Sequence, residues 1–309
     1  MSTGLRVRHA AAARETVVVR VWRWIKITVW RVFYGQNEWQ RLFQSPAEAD
    51  EDERIVRFRT ELALSDTMAQ TCDVVFATKP FPMDETLRDV ATRAQLDEKD
   101  VTLMANVRSC LRRCNYVNKV YARVCAEKNE GYTSSNEVHE AMLEQLWRNL
   151  KPNVRRKGGR ITKEWGEIGF QGTDPMSDFR GMGIFSLVQL NYFTKNYKVE
   201  AQRALEESNH PTRWYPFAVT GINVTAFLIE LIDERLLDVK LYRLAANGKD
   251  DEDLNAGLMQ LHDVYATIFT RFNKLWVDTN PRDVMAFPCL FQSLKDVIRA
   301  ELMLASFRF

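Results

Sequence analysis

Histidine is scarce in this chain. Only His9, His139, His210 and His262 occur, far apart in sequence, which gives no support to a histidine metal site. Neither sign of charge dominates. Lys and Arg total 43 against 41 Asp and Glu, a formal charge of +2, so no global electrostatic case for a nucleic-acid partner arises. No GxxxxGK[ST] string is present, which excludes a nucleotide site of the P-loop kind; HExxH and GxSxG are absent too. The five cysteines (Cys72, Cys110, Cys114, Cys125, Cys289) are odd in number and lack the spacing of a disulfide framework. Cys110 and Cys114 sit four apart on an expected helix, but no second pair completes a zinc site. Reduced thiols in a cytosolic protein are the expectation. Signals for processing are missing as well. The start, MSTGLRVRHAAAARE, runs into a segment broken by cations rather than a signal-peptide core. Ser2 rules out myristoylation, and Ser306-Phe307-Arg308-Phe309 is no prenylation signal. The sequon Asn223-Val224-Thr225 would go unused on a cytosolic helix.

What is present is an ordinary globular balance. Hydrophobic residues make up 46% and charged residues 27% of 309 residues, enough for one large domain or two ordinary ones. Charge is unevenly placed at the start. Before Glu38 the chain has Arg6, Arg8, Arg14, Arg20, Arg23, Lys26 and Arg31 against Glu15 alone, and then turns acidic at Glu48, Asp50, Glu51, Asp52 and Glu53. The asymmetry points to an anionic partner for the N-terminus. Residues 1–16 read as a flexible basic arm. Residues 17–34, VVVRVWRWIKITVWRVFY, are apolar yet carry Arg20, Arg23, Lys26 and Arg31. Each charge would cost ~2.5–3.5 kcal/mol at the centre of a spanning helix, which argues against a membrane crossing. Drawn as a helix, the cations share one broad side, and Trp22, Trp24 and Trp30 suit a membrane–water interface. A helix packed on the protein with its cations in water is the alternative, and the β-branched content also permits a strand.

Further along, helical spacing dominates. Segments 53–71 and 84–94 read as short helices separated by the Pro80 and Pro82 loop. Over 99–127, Val101, Met104, Val107, Leu111, Cys114, Val117, Tyr121 and Val124 recur every three or four residues. Ser134-Ser135-Asn136-Glu137 reads as a capping box opening a helix whose apolar face is Val138, Met142, Leu146 and Leu150, with Pro152 as its stop. A boundary near residue 130 follows, giving a helical region at 17–130 and a second domain at 131–309. Residues 153–163 are basic, with Arg155, Arg156, Lys157, Arg160 and Lys163 around Gly158-Gly159. Leu254, Leu258, Leu261, Tyr265, Ile268, Phe272 and Leu275 form the strongest helical stripe, and a last helix is expected to bend at Pro288. There is no run of alternating strand residues and no internal repeat. The class is all-α, with connected helices around one core.

One stretch departs from this pattern. Residues 165–183, WGEIGFQGTDPMSDFRGMG, hold five of the thirteen glycines. Such density is unfavourable in a helix and marks unusual dihedrals or close backbone approach. Asp174-Pro175 is a natural helix entry, with Asp capping and Pro first. Apolar spacing then begins at Phe179, Met182, Leu187, Leu190 and Phe193. Arg180 therefore sits at a glycine-flanked junction of loop and helix, free to reach outward. On the residues alone, an ion pair with Asp174 or Asp178 that pins the loop is the competing role.

The string WGEIGFQGTDPMSDFRGMGIFSLVQLNYF resembles the core signature of ELMO-domain proteins. Ser208-Asn209-His210-Pro211 and Gly221-Ile222-Asn223-Val224-Thr225 agree as well, and the similarity covers about residues 136–305. The tryptophan-rich start followed by Gln40-Arg41-Leu42-Phe43 is similar to the shorter ELMOD branch. Ser177 stands where Thr is usual and keeps the hydroxyl. The resemblance implies a helical bundle-like ELMO domain with an N-terminal helical extension. It also implies GTPase activation on Arf or Arf-like proteins in membrane traffic, with Arg180 as a catalytic arginine finger supplied in trans. Trp165, Gly169, Phe170, Gln171, Gly172, Asp174, Pro175, Asp178, Phe179, Gly181 and Gly183 would support that loop or face the GTPase. Trp165, Phe170 and Phe179 read as core anchors, the glycines as shapers of backbone, and Asp174 and Asp178 as caps. No cofactor or metal of the chain's own is implied, since Mg²⁺ and GTP belong to the partner. The expected location is cytoplasmic, peripheral at a membrane if residues 17–34 bind an anionic surface. The competing function is a non-catalytic scaffold or effector that grips a small GTPase without speeding hydrolysis.

Overall fold

A computed structural model describes residues 37–44, 51–77, 82–247 and 254–307. The arm 1–16 and the segment 17–34, with Arg20, Trp22, Arg23, Trp24, Lys26, Trp30 and Arg31, lie outside the described residues, as does Pro80. Among the described residues the fold is all-α, with no strand. The helices are α1 Glu38–Gln44, α2 Glu51–Leu64, α3 Ala69–Val75, α4 Met83–Ala94, α5 Val101–Asn129, α6 Glu137–Leu150, α7 Gly183–Asn196, α8 Lys198–Ser208, α9 Phe217–Asp233, α10 Asp238–Asn247, α11 Asn255–Thr279 and α12 Phe287–Phe307. Short 3₁₀ helices lie at Lys163–Ile168, Pro175–Arg180 and Val284–Ala286. No described helix is long and apolar enough to cross a membrane.

The chain forms two compact units. One comprises residues up to Ala122 with Asp238–Leu254; the other comprises Arg123–Leu237 with the chain from Asn255 on. The divisions thus fall at 122/123 and 237/238, the first of them inside α5, whereas the sequence pattern suggested a boundary near residue 130. In the first unit, Trp39 and Phe43 pack on Phe58, at 5.9 and 5.8 Å between ring centroids. Buried amides tie α3 to α5: Asn115 donates to the Val75 carbonyl and Asn118 to that of Phe76, at 2.8 and 2.7 Å. Asp238 at the start of α10 accepts from Tyr121 at 2.7 Å, and Arg243 pairs with Asp52. The expected helix at 53–71 is two helices, because the chain turns between Leu64 and Ala69 at Ser65-Asp66-Thr67, residues that favour turns over helix interiors.

In the second unit, α7 packs against α6, α8, α9 and α11. Its buried residues, among them Ile184, Phe185, Leu187, Gln189, Leu190, Phe193 and Thr194, cover nearly its whole circumference, as a central helix requires. Phe193 lies 4.8 Å from Phe269, and Phe217 lies 4.9 Å from Phe269. Of the stripe expected on α11, Leu261, Tyr265, Ile268 and Phe272 are buried, Leu258 and Leu275 are half-buried and Leu254 precedes the helix; His262, Ala266, Phe269, Asn273 and Trp276 are buried beside them.

Three local expectations are corrected here. The cap of α6 is Asn136, whose side chain accepts from the Val138 and His139 amides; Glu137 follows the cap directly and cannot close a capping box. The buried face of α6 is His139, Leu143, Leu146, Trp147 and Leu150, which leaves Val138 65% exposed. Pro288 is the second residue of α12, where it starts the helix instead of bending it, since its missing N–H is not needed in a first turn.

His262 generates a test of this core. It is buried, packs at a tilt on Tyr192 at 4.9 Å and Phe185 at 5.9 Å, and its Nδ1 has no hydrogen-bond partner among the described residues. Burial pushes its pKa down from 6.5 to about 4, against a smaller opposing pull from Asp263. A folded pKa below the unfolded one gives stability that is present above ~6.5 and lost as pH falls towards 4. Roughly 3 kcal/mol is at stake. Urea unfolding at about pH 7 and about pH 4.5 should therefore show a smaller acid loss in His262→Phe than in the natural chain.

Candidate functional site

The glycine-rich stretch is a folded loop between α6 and α7, built on aromatic rings. Trp165 is fully buried and Phe179 and Phe170 nearly so, at 0, 1 and 5% exposure. They form a chain of edge contacts: Trp147 to Trp165 at 5.8 Å, Trp165 to Phe170 at 6.1 Å and Phe170 to Phe179 at 5.5 Å. Phe179 then stacks on Tyr132 at 5.1 Å. The Trp165 indole N–H donates to the Arg160 carbonyl at 2.8 Å, which satisfies its polar edge. On its face lies the Arg156 guanidinium, 4.1 Å from the ring centre and paired with Glu144.

Two backbone approaches fix the ends of the loop. Gly169 has φ +81°, and a Cβ there would collide with the Phe217 amide nitrogen and lie 2.7 Å from the Pro216 carbonyl carbon. Its carbonyl accepts from Val219 at 3.2 Å, so the loop sits directly on the start of α9. Gly183 has φ +53°, and a Cβ there would collide with the Lys128 carbonyl oxygen and lie 2.5 Å from that of Glu130. The Ile184 amide donates to Glu130 at 2.8 Å at the same crossing. Gly172 also needs its glycine, at φ +67°. Gly181 does not. Its φ is −87° and nothing lies within 4 Å of its absent Cβ, so the expectation that it shapes backbone is not met.

Polar groups complete the frame. Arg160 donates twice to Asp174, at 2.9 and 3.1 Å, and once to Glu140 at 2.8 Å; Glu140 also accepts from the Tyr132 hydroxyl. Arg160 holds the Asp174 carboxyl below the usual range against a smaller desolvation penalty, and Asp174 caps the second 3₁₀ helix by accepting from Met176. The stability from this pair is present above the ordinary aspartate range and lost as pH falls through the lowered folded value. Asp178 accepts from the Gln171 amide at 2.9 Å; burial raises its pKa, and the Gln171 bond and the Arg180 charge oppose that shift. Thr162 donates its amide to the Thr173 carbonyl at 2.9 Å and closes the loop. The Ser177 hydroxyl bonds the Asp174 carbonyl at 3.1 Å, a role Thr would fill equally.

Arg180 ends the second 3₁₀ helix and is exposed. Its Nε donates to the Ser177 carbonyl at 2.8 Å, and among the described residues its two terminal nitrogens have no hydrogen bond or ion pair. The competing role of loop pin therefore falls to Arg160. Pro175 is buried and Gln171 exposed, and it is the Gln171 backbone, not its side chain, that orders the loop. Asn209 donates to the Glu167 carbonyl at 3.2 Å, so the second matching block touches the loop. Among the described residues no group of three His, Cys, Asp or Glu could hold a metal ion.

The sequence model of the ELMO/CED-12 family matches residues 122–291. The chain belongs to this family. Human ELMO domain-containing protein 2 is 31% identical over 91% of each chain. ELMO domain-containing protein B of Dictyostelium discoideum is 36% identical over 61% of this chain and 62% of its own, and human ELMO domain-containing protein 1 is 29% identical over 86% and 84%. No solved structure matches. Within the ELMO-family loop, sequence reading missed Arg160 and Glu140. Their acidic and basic types were visible, but a pairing across 20 residues leaves no local spacing to read.

The glycines separate in a stability test. Gly169→Ala and Gly183→Ala combine a left-handed φ with collision against backbone, and each should lower the urea-unfolding free energy by about 3 kcal/mol or more. Gly181→Ala should stay within about 0.5 kcal/mol of the natural chain, or gain slightly from a stiffer unfolded state. Equal losses at all three positions would contradict this description of the loop.

Proposed function

We propose that the chain is a GTPase-activating protein for Arf or Arf-like small GTPases and that it supplies Arg180 to the transition state of GTP hydrolysis. The observation that carries the reading is the state of Arg180. The guanidinium is held at Nε by the Ser177 carbonyl, which leaves its outer fork pointing to solvent without a partner. Both nearby carboxylates are engaged elsewhere, Asp174 by Arg160 and Asp178 by the Gln171 amide. A cation anchored at its inner nitrogen and unpaired at its outer two is preorganised to receive an anion.

Hydrolysis spreads negative charge over the transferred phosphoryl group of a GTP that the partner holds with its Mg²⁺. A guanidinium inserted from outside stabilises that charge, and its planar fork can donate to two oxygens at once. The partner's own residue orients the attacking water. On this reading the chain turns over no substrate by itself and acts as a catalytic regulator. Exposed Gly181 beside Arg180 carries no side chain to obstruct the approach.

Single-turnover hydrolysis with a panel of GTP-loaded Arf and Arf-like proteins tests the reading. Arg180→Lys keeps the charge and loses the fork, so the stimulated rate should fall ~10³-fold, about 4 kcal/mol of transition-state stabilisation. Thermal melts and most of the binding to the GTP-loaded partner should be unchanged, because the contribution appears mainly in the transition state. Full activity in the lysine variant would remove Arg180 from the role. Binding of GTP-loaded partner by the natural chain without faster hydrolysis would replace the activator with an effector or scaffold.

A further inference from the structure

The basic loop preceding the aromatic frame has its own surplus of charge. Between Lys151 and Glu164 the sequence holds Lys151, Arg155, Arg156, Lys157, Arg160 and Lys163 against one acid, Glu164. Three of these cations are committed: Lys151 to Glu167, Arg156 to Glu144, and Arg160 to Asp174 and Glu140. The single acid is also engaged, because Glu164 accepts from the Lys157 and Gly158 amides at 3.2 and 2.9 Å. The Gly158 bond is the first cause of its lowered pKa; desolvation opposes it, and the charges of Arg156 and Lys157 add smaller pulls. What remains is Arg155, Lys157 and Lys163, all exposed and none making an ion pair with a described residue. On the same loop, Val154 is 51% and Ile161 is 66% exposed.

We infer that residues 154–163 are a docking surface for an anionic lipid bilayer. Uncommitted cations alone would suit an acidic protein or a lipid headgroup equally. Exposed aliphatic side chains set among them favour the bilayer, since cations gain from the surface potential while Val154 and Ile161 gain from burial at the headgroup boundary. The loop is already ordered for this purpose. Arg156 donates to the Gly158 and Gly159 carbonyls, and Glu164 and the Thr162–Thr173 bond hold the opposite side. Little conformational entropy is then lost on contact. The inference is independent of any role for Arg180.

The test is flotation of the full chain with phosphatidylcholine vesicles, with and without phosphatidylserine. The combined change Arg155→Gln, Lys157→Gln and Lys163→Gln breaks no ion pair among the described residues and should leave the thermal melt nearly unchanged. It should lower partition onto the phosphatidylserine vesicles by about 100-fold, three cations at ~1 kcal/mol each. Ile161→Ser should lower it by about ten-fold. Each variant is also measured in a chain whose Arg20, Arg23, Lys26 and Arg31 are Glu, so that binding by the N-terminal segment cannot hide the loop's share. Unchanged partition in both backgrounds would overturn the inference. So would unchanged partition accompanied by weaker binding to a soluble GTP-loaded GTPase, which would assign the loop to an acidic protein partner instead.

Discussion

The geometry of the glycine-rich loop depends on one guanidinium, that of Arg160. It grips both oxygens of Asp174 and reaches Glu140 on α6, which in turn holds the Tyr132 hydroxyl. A bidentate arginine–carboxylate pair fixes orientation as well as distance. Asp174 is thereby set to cap the 3₁₀ helix Pro175–Arg180, and the direction of that helix decides where Arg180 emerges. The pair is only partly buried, so its contribution to global stability is modest. Its effect is local order: Asp174 is taken by Arg160, Asp178 accepts from the Gln171 amide, and neither pairs with the outer nitrogens of Arg180.

Beneath this polar frame lies a hydrophobic one of a different kind. The rings of Trp147, Trp165, Phe170, Phe179 and Tyr132 run continuously under the loop, so a stretch with little helix-forming tendency still buries large apolar surfaces. The glycines act as complements to the rings. Gly169 and Gly183 let the backbone lie against α9 and against the carbonyls at the end of α5. The loop is anchored at both edges and in its middle, and its outer residues, among them Gln171, Gly172, Thr173, Met176, Ser177, Arg180 and Gly181, face solvent. An anchored loop with a polar outer rim offers a partner a surface that is already ordered.

Much of the fold was legible in sequence. The 3.6-residue periodicity of 99–127 and 254–275 identified α5 and α11, and the absence of alternating runs gave the all-α class. Less legible were the boundaries. The break between α2 and α3 rests on a few turn-forming residues inside an apolar pattern, and the buried face of α6 is rotated from the one its sequence suggested. Val138, Met142, Leu146 and Leu150 satisfy helical spacing as well as Leu143, Leu146, Trp147 and Leu150 do. Periodicity cannot choose between overlapping stripes on one helix, because both fit the same repeat.

By itself, the sequence determined that residues 165–183 form a special segment, that Asp174 caps, and that Arg180 stands at its exit. These are local facts, set by glycine density, by the Asp-Pro pair and by side chains a few residues apart. Tertiary structure alone decided which arginine pins the loop and which stays free. Arg160 and Arg180 are the same residue type, and Arg180 is much the nearer of the two in sequence to Asp174 and Asp178. The choice between them comes from α6, which brings Glu140 to Arg160 from 20 residues away, whereas among the described residues none bonds the outer fork of Arg180. It also decided which glycines are obligatory. Gly169 and Gly183 are required by backbone that arrives from Phe217 and Lys128, and no local pattern distinguishes them from Gly181.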